Sequence, residues 1–443
     1  MKFIKKVDPE IYSLIKKEEK RQEETLMMIP SENIASKAVE EAMGSSFGNK
    51  YGEGYPNKRY YQGNQVIDTL ESTVIERAKK LFKVEAANVQ PHSGSPANFA
   101  VYTALLNPGD CIMGLDLASG GHLTHGAPFN ASSRYFRSAQ YVVNKEGEID
   151  YKALRILAKK EKPQIIVAST TAYARFLKWK NFSDIAEEVG AFLMADMSHL
   201  AGLVAAGVYP SPVPFAHIVT TTTHKTLRGP RGAMILTTAK GLKKDPDLAK
   251  KIDKTIIPGI QGGPHFNNIA GIGVALKEAS TARFKTYATQ VLKNAQVLAE
   301  ELKKNKFDLV TGGTDCHLLL IDTRNKNLLG NTIAEGCDAA GIILNRNWVP
   351  FDVGSAFFPS GIRLGTPGLT SRGMKEKEMK KVAGFIHEIV NGLQESKEKM
   401  KVSVEDERKR SVRTEIIQNT SVIKRVHKEV KALCKKFPIK KEY

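Results

Sequence analysis

The run Thr220-Thr221-Thr222-Thr223-His224-Lys225-Thr226 ends an apolar stretch in polar residues and presents one lysine. The glycine-rich Arg228-Gly229-Pro230-Arg231-Gly232 follows it. A lysine where a strand gives way to a loop can be an imine-forming nucleophile, because nearby cations and partial burial lower its pKa and free the amine. Taken alone, in a chain with 66 basic residues, such a lysine is most often a solvated loop residue. A second stretch, Phe192 to His199, reads as an apolar strand that delivers Asp196 at its carboxyl end, where open α/β sheets bind ligands. A carboxylate there can keep a ring nitrogen protonated, so that the ring takes up electrons. The plainer reading is an aspartate that caps a helix. The third stretch is His92-Ser93-Gly94-Ser95-Pro96-Ala97-Asn98, ahead of an apolar helical pattern. Here Ser95 is the expected N-cap and Pro96 the first helical residue. Free amides at such a terminus bind phosphate, although an ordinary capped helix needs no ligand.

The combination is more specific than its members. A lysine for an aldehyde, a carboxylate for a ring nitrogen and a helix start for a phosphate suggest pyridoxal 5′-phosphate. A metal is not expected. His122 and His125 stand three apart, but no third ligand at metal-site spacing accompanies them and the flanking glycines argue for a loop.

Positioning these groups needs a sheet. Short apolar runs at 111–115, 164–168, 191–195, 218–222 and 233–236 read as strands separated by helices such as 69–82 and one capped by Ser183 and ending at Gly190. That alternation predicts an α/β fold with a mostly parallel central sheet and helices on both faces. Asp8-Pro9 opens an N-terminal helix, and 45–63, rich in glycine and tyrosine, reads as a long ordered loop. Near 275 the pattern changes to a long helix over 269–304, interrupted near Ser280, then strands at 318–321 and 342–344. Three regions are expected: an N-terminal arm and loop (1–65), a large α/β domain (66–275), and a smaller C-terminal α+β domain (276–443) with a charged insertion near 400–419.

Composition bounds the rest. The 443 residues are 42% hydrophobic, enough for a substantial core, and carry a formal charge of +19. The last fifty residues hold 15 Lys/Arg against 8 Asp/Glu, so much of the excess is local. That tail lacks interleaved aromatics, and no nucleic-acid partner is expected. No run of 18 apolar residues occurs, so no membrane span is expected, and the N-terminus lacks a secretory apolar stretch. Cys111, Cys316, Cys337 and Cys434 are scattered without a Cys-x-x-Cys, which suits thiols in a reducing, cytoplasmic setting.

Longer motifs carry a family resemblance. They are Pro30-Ser31-Glu32-Asn33, Asn49-Lys50-Tyr51-Gly52-Glu53-Gly54-Tyr55-Pro56, Arg59-Tyr60-Tyr61, His92-Ser93-Gly94-Ser95 and Gly120-Gly121-His122-Leu123-Thr124-His125-Gly126. Asp196-Met197-Ser198-His199-Leu200-Ala201-Gly202-Leu203, the stretch 220–232, 258–264 and Ser360-Gly361-Ile362-Arg363-Leu364-Gly365-Thr366-Pro367 complete the set. In this order they resemble serine hydroxymethyltransferases, fold-type I enzymes that use pyridoxal phosphate. The likeness runs from Val7 to about residue 390 and returns at 422–439.

The resemblance implies reversible interconversion of serine and glycine, with the one-carbon unit passed to tetrahydrofolate. It implies that Lys225 joins the cofactor, Asp196 pairs with its ring nitrogen, His122 stacks on the ring and His199 meets the ring oxygen. Ser93, Gly94 and Ser95 would hold the phosphate, with Gly263 and Tyr51 from the neighbouring subunit. Thr171 would contact the cofactor where the family often has serine. Arg363 and Ser31 would take the substrate carboxylate, a task that suits a planar fork of donors. Glu53 would be the acid/base, and His224 would orient substrate or cofactor beside Lys225. Thr223 and Tyr61 would join the reacting groups, and Glu53 and Tyr61 would also meet the substrate. Tyr51, Glu53 and Tyr61 would come from the neighbouring subunit. Tyr60, Leu117, Leu123 and Asn347, with Glu53, would meet the folate. Ser119, Trp348 and 355–359 depart from the family pattern. A homodimer with shared sites is implied, a tetramer being the alternative. The nearest rival is a folate-independent aldolase for 3-hydroxy amino acids such as threonine.

Overall fold

In the computed structural model, residues 1–440 are described. They form two compact units, Asn33–Leu292 and Met1–Glu32 with Lys293–Lys440.

The first unit is built on seven strands: β1 (Ala86–Asn88), β2 (Cys111–Leu115), β3 (Arg137–Tyr141), β4 (Ile165–Ser169), β5 (Phe192–Asp196), β6 (Ile218–Thr222) and β7 (Ala233–Thr237). Their order is β1-β7-β6-β5-β4-β2-β3. Neighbours from β3 to β6 pair in parallel, and β7 runs against both β6 and β1. Every residue of β2, β4, β6 and β7 is buried, as in a sheet covered on both faces. Because the central strands are parallel, their carboxyl ends share one edge. The residues after β2, β4, β5 and β6 therefore collect there, and Asp196 pairs directly with Thr220.

Two sequence expectations shift. The helix after β1 is Gly94–Leu105 with Ser93 at its N-cap, not Ser95. Pro96 falls within the first turn, where a missing amide proton costs nothing. Ser183 lies buried inside the helix Trp179–Glu188 instead of capping one.

The stretch 45–63 is more regular than a loop. It contains a turn, Ser46–Asn49, and a hairpin pairing Gly54–Tyr55 with Lys58–Arg59. Gly54 has φ +97°, and a Cβ there would lie 2.3 Å from the Lys58 carbonyl oxygen, so only glycine fits. Arg59 locks the hairpin: it pairs with Asp68 (2.9 Å) and Glu71 (2.5 Å) and donates to the carbonyls of Gly52 and Gly54.

The division expected at 275 falls instead at Lys293, within the helix Ala282–Lys304. The preceding helix, Phe266–Ala279, packs on Lys37–Met43 and Gln65–Phe82, which holds it in the first unit. The arm expected over 1–65 is itself split. The helix Pro9–Glu24, capped by Asp8 through the Ile11 amide, packs on Val422–Lys436. The strand Leu26–Met27 pairs in parallel with Ile342–Ile343. Both contacts bind the first 32 residues to the second unit.

That unit holds an antiparallel sheet whose middle strands are Leu318–Asp322 and Gly361–Gly365. Arg372 donates to five carbonyls, those of Gln22, Glu23, Thr25, Cys434 and Phe437, and so caps the ends of two helices at once. The charged segment 400–419 is docked, not loose. Glu407 is buried, pairs with buried Lys397 at 2.6 Å, and accepts from the Leu329 amide and the Thr332 hydroxyl. Arg413 forks onto Glu335 at 2.8–3.0 Å. Among the described residues no helix is long and apolar enough to cross a membrane. Removing the carboxylate by Glu407→Ala leaves Lys397 buried without its counter-charge. Urea unfolding should show a loss of about 3–5 kcal/mol.

Candidate functional site

Asp196 closes β5 and is buried. Its Oδ2 accepts from Asn98 Nδ2 (2.9 Å) and lies 3.1 Å from His125 Nε2. Its Oδ1 accepts from the amide and hydroxyl of Ser198, at 3.0 and 2.5 Å. Burial by itself would raise the carboxyl pKa. The hydrogen bonds from His125, Ser198 and Asn98 outweigh it and hold the group well below the usual carboxylate range. The result is an anion fixed at the carboxyl edge of the sheet, ready for a cationic N–H.

Lys225 follows β6 on a tight loop and is half-buried. Its carbonyl accepts from Asn33 Nδ2 (2.9 Å) and from the Arg228 amide (3.1 Å). Arg228 holds φ +62°, donates Nε–H to the Ile34 carbonyl and lies 4.9 Å from the Tyr287 ring centre. Thr223, expected among the reacting groups, is fully buried and donates its hydroxyl to the Pro230 carbonyl at 2.6 Å. That bond braces the lysine loop. His224 is pushed down to about 3, first by burial and then by the charges of Lys225 and Arg231.

Ser93, Gly94 and Ser95 open the helix Gly94–Leu105, and the Ser93 side chain does not cap it. A Cβ on Gly94 would meet Thr222 at 2.6 Å, so this turn presses against the end of β6. After β2 come Leu117, half-buried, and the loop bearing His122 and the 42%-exposed Leu123. His122 Nδ1 lies 2.7 Å from the Thr124 hydroxyl. Thr171, after β4, donates its amide to the Gly120 carbonyl (2.8 Å), and His199 is buried with its carbonyl taking the Thr226 hydroxyl (2.9 Å).

A second cluster gathers other expected residues. The Tyr51 hydroxyl donates to Glu53 Oε1 (3.0 Å), and the rings of Tyr51 and Tyr61 meet edge-on at 5.1 Å. Gly262 and Gly263 approach them so closely that added Cβ atoms would lie 3.3 Å from Glu53 and 3.0 Å from Tyr51. The Glu53 carboxylate raises the Tyr51 pKa. Tyr51, Tyr60 and Tyr61 are all exposed.

In the second unit, Arg363 is buried in the strand Gly361–Gly365 and donates Nε–H to Asn345 Oδ1 (3.2 Å). Burial pushes its guanidinium down to about 10. Asn347 lies on the adjoining strand, its amide donating to the Trp348 carbonyl, and Ser31 sits in the turn after Pro30.

Sequence reasoning passed over Asn98, Thr124 and Ser198, and weighed His125 only as a metal ligand. One signal was available: Asn98 is a polar residue in the otherwise apolar buried stripe Ala97, Ala100, Val101. Among the described residues no group of His, Cys, Asp and Glu could hold a metal.

A family model described as serine hydroxymethyltransferase matches residues 4–386. A serine hydroxymethyltransferase of Desulfotalea psychrophila is 51% identical over 438 residues, covering 99% of this chain and 96% of its own. One from Acidothermus cellulolyticus is 50% identical over 432 residues, covering 97% and 95%.

The folded state keeps His224 (about 3) and His217 (about 4) neutral, both mainly by burial. Below about pH 6.5 the unfolded chain takes up protons that the folded chain refuses, so stability falls as pH falls towards those values. Urea unfolding of His224→Asn between pH 5 and 7 should show a slope shallower by about 1 kcal/mol per pH unit.

Proposed function

The chain belongs to the serine hydroxymethyltransferase family, and from that premise we propose how its own residues divide the work. The reaction interconverts serine and glycine and passes the hydroxymethyl carbon to tetrahydrofolate, with pyridoxal 5′-phosphate as cofactor. The observation that carries the assignment is the buried Asp196 anion beside the lysine loop.

The donor set fits the cofactor. A pyridinium N–H would find its acceptor in Asp196. A phosphate would find the first-turn amides of Gly94–Leu105 and the hydroxyls of Ser93 and Ser95. An aldehyde carbon would find the Lys225 amine. When bound, the cofactor supplies an electron-accepting ring in conjugation with the amino-acid α-carbon. His122 would cover that ring, and Thr171 and His199 would meet its oxygen.

Arg363 takes the substrate carboxylate with Ser31. Burial lowers its pKa, and an arriving carboxylate would favour its charged form. His224 stays neutral at working pH and so orients groups through a lone pair or N–H without adding positive charge beside Lys225. Thr223 holds the lysine loop through Pro230. Glu53 is the group that moves the substrate hydroxyl proton. Tyr51 orients it by donating to Oε1, leaving Oε2 for the transfer. Tyr60, Leu117, Leu123 and Asn347 receive the folate.

The assembly is read as a homodimer in which Tyr51, Glu53, Tyr61 and Gly263 complete the neighbouring subunit's site. Their mutual packing as one cluster and the exposure of the tyrosines support this. The four cysteines are buried and in no disulfide, which supports a cytoplasmic setting.

Three outcomes test the reading. Lys225→Ala should abolish serine–glycine exchange while leaving the fold intact by circular dichroism. Serine cleavage by the native enzyme should require tetrahydrofolate; equal rates without it would point to the aldolase. Mixing inactive Lys225→Ala with inactive Glu53→Gln subunits should restore about a quarter of native activity, since half the dimers would be hybrids with one intact site. No recovery after verified subunit exchange would place Glu53 in its own subunit's site.

A further inference from the structure

Asp196 carries a charge whose consequences reach further than its own ligands. An ionised carboxylate only accepts hydrogen bonds. Asn98 must therefore turn its NH2 group towards Oδ2, at 2.9 Å, because the reversed amide would set oxygen against oxygen. The Asn98 carbonyl then faces Thr220, whose hydroxyl donates to it at 2.7 Å. The second N–H of Asn98 points at Thr124 Oγ1, 3.0 Å away. With that oxygen already accepting, the one hydroxyl proton of Thr124 is free to go to His122 Nδ1, at 2.7 Å. The Thr124 backbone amide donates to the same ring nitrogen at 3.2 Å. A nitrogen that receives two donors carries no proton of its own, so the His122 proton sits on Nε2. On the other side of Asp196, His125 must donate from Nε2, and its Nδ1 accepts the His122 amide at 3.3 Å. Asn98, Thr124, His125 and Thr220 are all buried, so water does not compete for these bonds.

We propose that the Asp196 carboxylate sets the tautomers of both histidines, directly at His125 and through Asn98 and Thr124 at His122, and that Thr124 is the positioning residue linking two of the cofactor's contacts. Thr124 touches neither substrate nor cofactor in this scheme. It keeps the His122 ring in one plane and one protonation pattern, as an outer partner of a metal-bound histidine does. The inference rests on the reading that Asp196 and His122 contact the cofactor.

The test uses the full chain stripped of cofactor, with 15N-labelled histidine. Long-range 1H–15N spectra at neutral pH should show His122 and His125 both protonated at Nε2 and bare at Nδ1. In Thr124→Val only the longer backbone amide bond still holds Nδ1, so His122 should gain a measurable Nδ1-protonated fraction while His125 keeps its own tautomer. The dissociation constant for pyridoxal phosphate should rise about tenfold. Thr124→Ser should restore both readouts, which a purely steric role would not predict. A native His122 protonated at Nδ1 overturns the proposal, and that measurement needs no variant to fold. Unchanged tautomer and affinity in Thr124→Val, or no rescue by serine, overturn it as well. Asp196→Ala and His122→Ala keep the two ideas apart. If both retain native cofactor affinity, the reading of the site has failed. If both lose it while Thr124→Val does not, the Thr124 proposal alone has failed.

Discussion

A carboxylate stays ionised inside a protein only if enough donors replace the water it has lost. At Asp196 the replacement comes from His125, Asn98 and both donors of Ser198, with no lysine or arginine among the partners. The donors stabilise the charge without spending it, which leaves an anion available to an incoming cation. Most of the first unit's architecture serves this arrangement. Parallel strands bring β5 and β6 to one edge, the helix Gly94–Leu105 carries Asn98 on its buried face, and the loop after β2 supplies His125.

Glu71 shows the other solution. It is equally buried, but Arg59 sits on it at 2.5 Å and consumes its charge, while burial still raises its pKa. Gln90 bridges Glu71 and the Gly54 carbonyl. This pair anchors the hairpin that presents Tyr51, Glu53 and Tyr61. One buried acid is thus left without a cationic side chain on it, and the other is closed to build the platform that carries Glu53.

The basic C-terminal region follows the same lines. Several basic residues of the C-terminal region have structural partners: Lys397 with Glu407, Arg413 with Glu335, Arg425 with Glu388 and Glu429, Lys431 with Glu24. The buried pairs hold the charged segment against its unit, while the exposed ones add little stability. The region that looked like an addition from its composition is part of the packing.

Local pattern was enough to read five of the first unit's seven strands, the lysine loop and the aspartate at the end of β5, because each is a short-range feature of strand period and turn chemistry; the short β1 and the half-exposed β3 went unread. The long motifs were enough for the family. Ser93 in place of Ser95 as the cap, and the loss of residues 1–32 to the second unit, were not legible, since both depend on what packs against them. The partners of Asp196 lay further out of reach. Asn98 stands 98 residues before it and His125 stands 71 before it. Nothing in the local periodicity of either residue selects that contact. Only the closing of the sheet brings them within 3.1 Å of one carboxylate, and only that proximity decides which way each amide turns and where each imidazole keeps its proton.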